Sequence, residues 1–151
     1  MLKQLQDFLH QEIPLTKDMN LELINFDGMS LQAKAPLKNN INDKGSVFGG
    51  SSSALMIIAA WSLIKLNCQD NDIQADIVIH KNETIWQKAL YGELFINAHF
   101  KKEYDFEQVK VLIDSKRHKR ITCLIELLDA DENIYSTMAA KYVIIPKTNK
   151  V

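Results

Sequence analysis

Leu2, Leu5, Leu9 and Ile13 recur at three- and four-residue spacing, which predicts an opening amphipathic helix ended by Pro14 and the polar stretch 16–20. Residues 21–26 then alternate apolar and polar, and 30–35 alternate again. Asp27-Gly28 between them is a two-residue turn signal, so the pair predicts a β-hairpin. A polar loop, 38–44, leads into a long segment, 47–66, whose centre 54–64 is apolar on every helical face. Strand-like runs follow at 73–80 and 92–100. Asp105 is placed to cap a short helix carrying Phe106, Val109, Leu112 and Ile113 at helical spacing. Two long strands, 121–128 and 134–145, joined by the polar residues 129–133, complete the chain.

A helix that is apolar all round must be covered on all sides. The pattern therefore predicts an α+β fold with a mainly antiparallel sheet curved around one long central helix, the hotdog architecture. Units of this kind protect their sheet edges by pairing them, so a homodimer or a dimer of dimers is expected. The uncharged stretch 45–64 invites a membrane reading, but only 54–64 is strongly apolar, short of the ~20 residues a bilayer requires. No membrane span is expected.

Composition adds limits. The 151 residues (17.3 kDa) are 46% apolar and 25% charged, which fits a single domain over 1–151 with a substantial core. Eighteen basic against nineteen acidic residues leave no net charge to drive nucleic-acid binding. Cys68 and Cys123 show no metal-ligand spacing, and Cys123 falls in an alternating strand where a buried, inert thiol is expected. Neither a metal nor a resident cofactor is expected, and the opening residues, with Lys3, Asp7 and Glu12, do not resemble an export signal. A reduced, cytoplasmic protein is the simplest expectation.

The chemistry concentrates in Asn42-Asp43-Lys44-Gly45-Ser46-Val47-Phe48-Gly49-Gly50-Ser51, a glycine-bearing loop feeding the start of the central helix. Glycine admits close approach of a ligand to the backbone, and first-turn amides backed by the helix dipole attract negative charge. The same glycines could instead serve only tight helix–sheet packing. The run Asn42-x-x-Gly45-Ser46-x-Phe48-Gly49-Gly50 resembles the Asn-x-x-Gly-Thr-x-His-Gly-Gly signature of hotdog acyl-CoA thioesterases. Residues 41–51, the ending Lys141-Tyr142-Val143-Ile144-Ile145-Pro146 and the inserted helix near Phe106 are similar to the thioesterase domain at the C-terminus of YiiD-type bacterial proteins.

That resemblance implies hydrolysis of an acyl-CoA or acyl-carrier-protein thioester without metal, with coenzyme A present only as part of the substrate. It implies that Gly49, and Gly50 beside it, supply oxyanion N–H groups, and that Asn42 holds the attacking water. Many relatives carry an acid two turns into the central helix; here that neighbourhood is Met56-Ile57-Ile58. The base is then Asp43, the nearest carboxylate in sequence, or His80, on a strand that in the family faces the partner subunit's helix. By the two-residue period Asp76 and His80 share one side of their strand. Trp86-Gln87-Lys88-Ala89-Leu90-Tyr91-Gly92-Glu93 resembles the family's aromatic-x-x-Pro-Val-x-Gly-Asp run, with Ala89 in place of proline.

The basic run 116–120 offers Arg117, Lys119 and Arg120 as a clamp for carrier phosphates, or is a solvated helix end. An alternative of another class stays open: a non-catalytic acyl-CoA or acyl-carrier binding module of fatty-acid metabolism, favoured by the missing helix acid. A dehydratase is a third reading, though its histidine-rich loop is not seen.

Overall fold

The computed structural model describes residues 1–147; the last four residues of the expected domain, 148–151, lie outside the described residues. Helix α1 (Leu2–Glu12) presents Leu5 and Leu9 to the core. Pro14 does not simply end it: proline at a helix's first turn sacrifices an N–H that has no partner anyway, and a second short helix, α2 (Pro14–Asp18), starts there. Strands β1 (Glu22–Phe26) and β2 (Ser30–Ala35) form the expected hairpin, but its tight turn centres on Gly28-Met29 rather than Asp27-Gly28. The Asp27 carboxylate accepts the N–H groups of Met29 and Ser30 at 2.9 and 2.8 Å, and Gly28 takes the left-handed φ of 92°.

The long apolar segment is helix α3 (Gly49–Asp70), extending four residues beyond the expected end. Strand β3 (Ala75–Trp86) also outruns its expected end, His80. Then follow β4 (Leu94–Phe100), α4 (Phe106–Asp114), β5 (Lys119–Leu128) and β6 (Ile134–Pro146). The six strands form one antiparallel sheet in the order β1-β2-β4-β5-β6-β3. It curves around α3, whose Leu55, Met56, Leu63, Ile64 and Leu66 are fully buried. By length and hydropathy α3 would pass for a membrane span; here the sheet covers it instead.

Two polar contacts fix the rod in its wrapping. Tyr142 donates its hydroxyl to the carbonyl of Ile57 at 2.6 Å, and Trp61 donates its indole N–H to Ile77 O at 3.0 Å. Burial of its phenol holds Tyr142 well above the ordinary tyrosine range, so this donor stays protonated. Burial also pushes the thiols up, Cys123 to about 12 and Cys68 to about 11, the latter against an opposing pull from Lys65. Both are free and buried, the state of an inert cysteine.

The two ends of the rod differ. At its C-terminal end, α4 is capped by Asp105, whose carboxylate accepts the Glu107 and Gln108 N–H groups. Phe106 there packs with Phe100 at 5.7 Å between ring centroids, and Lys110 donates to Asp72 O. At the N-terminal end the first turn is only partly covered: Trp86, at the end of β3, lies beside Gly49, and Gly50 is exposed. The two sheet edges differ as well. Strand β1 is short, and its Leu23 N–H is taken by the Gln6 side chain of α1 at 2.9 Å. Strand β3 is twelve residues long, with Val78, Ile79, Ile85 and Trp86 exposed.

Candidate functional site

The open end of α3 begins at Phe48, the N-cap, which offers no side-chain cap. The first intrahelical bond runs from Ser52 N–H to Phe48 O at 3.1 Å, so the N–H groups of Gly49, Gly50 and Ser51 have no partner within the helix. No acidic residue lies in the first turn to neutralise the positive end of the dipole. Here the glycines matter for space. A Cβ on Gly49 would sit 3.3 Å from the Trp86 indole nitrogen, and one on Gly50 would collide with the Phe48 ring.

This end opens into a cavity of about 320 Å³, at the small end of ligand-pocket sizes. Asn42, Gly49, Ser52, Trp86, Lys88, Leu90, Leu127 and Ser136 are among its lining residues. Trp86 donates its indole N–H to Ser52 Oγ at 3.2 Å, and Ser52 donates to Gly49 O at 3.0 Å, which ties the end of β3 to the first turn of α3. The Lys88 ammonium lies 4.6 Å from the centre of the Tyr135 ring, a cation at the same mouth.

Asn42 is held by its own loop. Its amide nitrogen donates to Ser46 Oγ at 2.9 Å and to Val47 O at 3.5 Å, and its oxygen accepts the N–H groups of Lys44 and Ser46. Two donors and two acceptors are the full capacity of an asparagine side chain. Gly45, at φ 85°, makes the reversal that lets these bonds close. Asn42→Ala should therefore lower stability by about 1–3 kcal/mol through the loop, visible as a lower melting temperature, and reduce any turnover with it. An unchanged melting temperature would separate Asn42 from the shape of the mouth.

The other sequence candidates lie elsewhere. Asp43 is exposed and paired with Lys44 at 3.2 Å, outside the cavity lining. The β3–β6 register shifts between Ile79 and Lys81, leaving His80 as an unpaired bulge residue, so the two-residue period from Asp76 is broken there. His80 is six residues along β3 from Trp86, about 20 Å in one copy. It lines a separate groove of about 520 Å³ with Val78, His118, Arg120 and Val143. The basic run is not a helix end alone: Arg117 follows the turn after α4, while Lys119 and Arg120 open β5. Adjacent strand residues point to opposite faces, so Lys119 and Arg120 diverge, and the Lys119 ammonium lies 5.6 Å from the Tyr104 ring centre.

The sequence pattern assigned no role at the site to Ser52 or Ser136, and it carried Trp86 and Lys88 only within the run that resembles the family's. Ser136 did leave a signal, as the one small polar residue in the inward row that continues through Met138, Ala140, Tyr142 and Ile144. Among the described residues no group of three or more His, Cys, Asp or Glu side chains is placed to hold a metal ion.

Residues 2–146 match the family described as "Putative thioesterase (yiiD_Cterm)". Among solved structures, the putative thioesterase of Shewanella oneidensis superposes with a TM-score of 0.86 at 21% identity, covering 96% of this chain and 97% of that one. A protein of unknown function from Chlorobaculum tepidum gives 0.82 at 25% identity, covering 96% and 94%. A thioesterase of Haemophilus influenzae gives 0.79 at 11% identity, covering 99% and 95%. With the sheet, the wrapped helix and a match along nearly its whole length in agreement, the chain belongs to the YiiD C-terminal thioesterase family and has the hotdog fold.

Proposed function

We propose that the protein hydrolyses acyl thioesters carried on coenzyme A or acyl carrier protein, with the carbonyl bound at the open end of α3. The observation that carries this reading is a 22-residue helix whose first turn has no side-chain cap and whose first residue, Gly49, lines a cavity. A carbonyl oxygen gaining negative charge during attack is the guest such donors favour. Water adds to the thioester carbon and gives up a proton to a base. The C–S bond then breaks, the sulfur leaves as thiol with that proton, and a carboxylic acid remains. Lys88 adds positive charge at the same mouth.

The base is proposed to come from a second copy. The exposed edge of β3 is long enough to pair antiparallel with its own equivalent. Pairing about Glu83 would set the His80 of one copy level with the Trp86 of the other. A bulge is the kind of irregularity that re-aims a side chain beside a site, and imidazole suits proton transfer near neutrality. Arg120, which lines the groove with His80, and Arg117 then belong to the same proposal, as partners for carrier phosphates contributed from the neighbouring copy; Lys119, on the other face against Tyr104, does not. The buried free thiols fit a reducing compartment such as the cytoplasm.

One observation favours the non-catalytic alternative, an acyl-thioester binding module. Neither a carboxylate nor a histidine lines the cavity in a single copy, and Met56-Ile57-Ile58 supplies none from the helix. Thiol release separates the two. Hydrolysis predicts enzyme-dependent free thiol from some member of a panel of acyl chain lengths on both carriers. Ligand-dependent melting shifts without thiol release would leave the binding module.

A further inference from the structure

Ser136 stands on β6 directly opposite Trp86 of β3 and Leu127 of β5. It shares the inward row with Met138, Ala140 and Tyr142 and is 2% exposed. Its hydroxyl has no hydrogen-bond partner among the described residues, yet it is not an enclosed orphan, since only Asn40 Oδ1 is both fully buried and unpartnered among them. The cavity in front of Gly49 is where it opens. Of the other side chains there, Asn42 is saturated by its loop, Ser46 Oγ accepts from Asn42, and Ser52 accepts from Trp86 and donates to Gly49 O, while Lys88 sits over the Tyr135 ring. A buried hydroxyl facing a polar, open cavity is a site for an ordered water, which needs two or more polar partners.

We infer that Ser136 holds the water inside the mouth and, on the hydrolase reading above, the water that attacks the thioester. This moves the water-binding role from Asn42, which shapes the loop, to a residue of β6 that lines the same cavity. The hydroxyl accepts from or donates to that water while the amides of the α3 first turn bind the carbonyl, so both reactants are held within one cavity. It carries no charge and takes no proton; its contribution is to fix the water's position.

Two measurements test this. In crystals of the unliganded wild-type protein, an ordered water should lie within hydrogen-bond distance of Ser136 Oγ inside the cavity. A hydroxyl turned onto a protein acceptor, with no water beside it, overturns the inference whether or not the protein hydrolyses anything. In thiol-release assays, Ser136→Ala should lower kcat by about ten- to a hundredfold with KM within about twofold and an unchanged melting temperature. Ser136→Thr, which keeps the hydroxyl, should recover most of that loss. Equal kcat for wild type and Ser136→Ala overturns the inference while leaving hydrolysis intact; a wild type silent on every substrate sinks the hydrolase reading, and the crystal water alone then decides the role of Ser136.

Discussion

Gly49→Pro should cut thioester turnover by about two to three orders of magnitude while the protein melts within a few degrees of wild type. Proline removes the N–H and little else at this position. Gly49 is the first residue of α3, where proline's fixed φ is already helical and where the missing N–H breaks no helix bond. The residue before a proline must be extended, and Phe48 already is, at φ −65° and ψ 128°. The added ring carbons meet the Trp86 indole, whose nitrogen lies 3.3 Å from the Cβ position. Gly49→Ala brings the same Cβ and keeps the N–H, so it should retain most of the activity. If the two variants lose activity equally, crowding against Trp86 is the cause and the Gly49 amide is not the donor.

The largest effect on stability is expected from Leu63→Ala. Leu63 is fully buried in the middle of α3, with the sheet curved around it, so truncation leaves a cavity in a close-packed interior. The cost should be about 2–5 kcal/mol, which for a chain of this length lowers the melting temperature by roughly 5–20 °C. Val111→Ala, on the exposed face of α4 at 64% exposure, is the matched control and should change stability by less than about 0.5 kcal/mol. A small effect at Leu63 would mean that α3 is not tightly wrapped.

Periodicity made the architecture legible wherever one face of an element was buried. Strands β5 and β6 alternate without a break, and the all-apolar centre of α3 demanded a covering sheet. The second half of β3 was hidden for the opposite reason: residues 81–86 lie on a sheet edge with both faces largely exposed, so Lys81-Asn82-Glu83-Thr84 carries no apolar rhythm. Bulges are equally silent, because the register shift at His80 depends on pairing with β6 and not on local residue type. The start of α3 announced itself through Gly45, Gly49 and Gly50. The rest of the mouth did not, since Trp86, Lys88 and Ser136 come from separate strands and loops that only the folded sheet brings together. The role of Asn42 could not be read from its place in the motif either; the bonds that exhaust its amide are visible only once the loop is closed.

The most direct test is a crystal structure with an acyl-CoA analogue in which a methylene ketone replaces the thioester. Its carbonyl oxygen should lie about 2.7–3.1 Å from the Gly49 or Gly50 nitrogen, with the carbonyl carbon facing Ser136. A carbonyl seated in the groove of His80, His118 and Arg120, with the α3 amides left to solvent, would contradict the account.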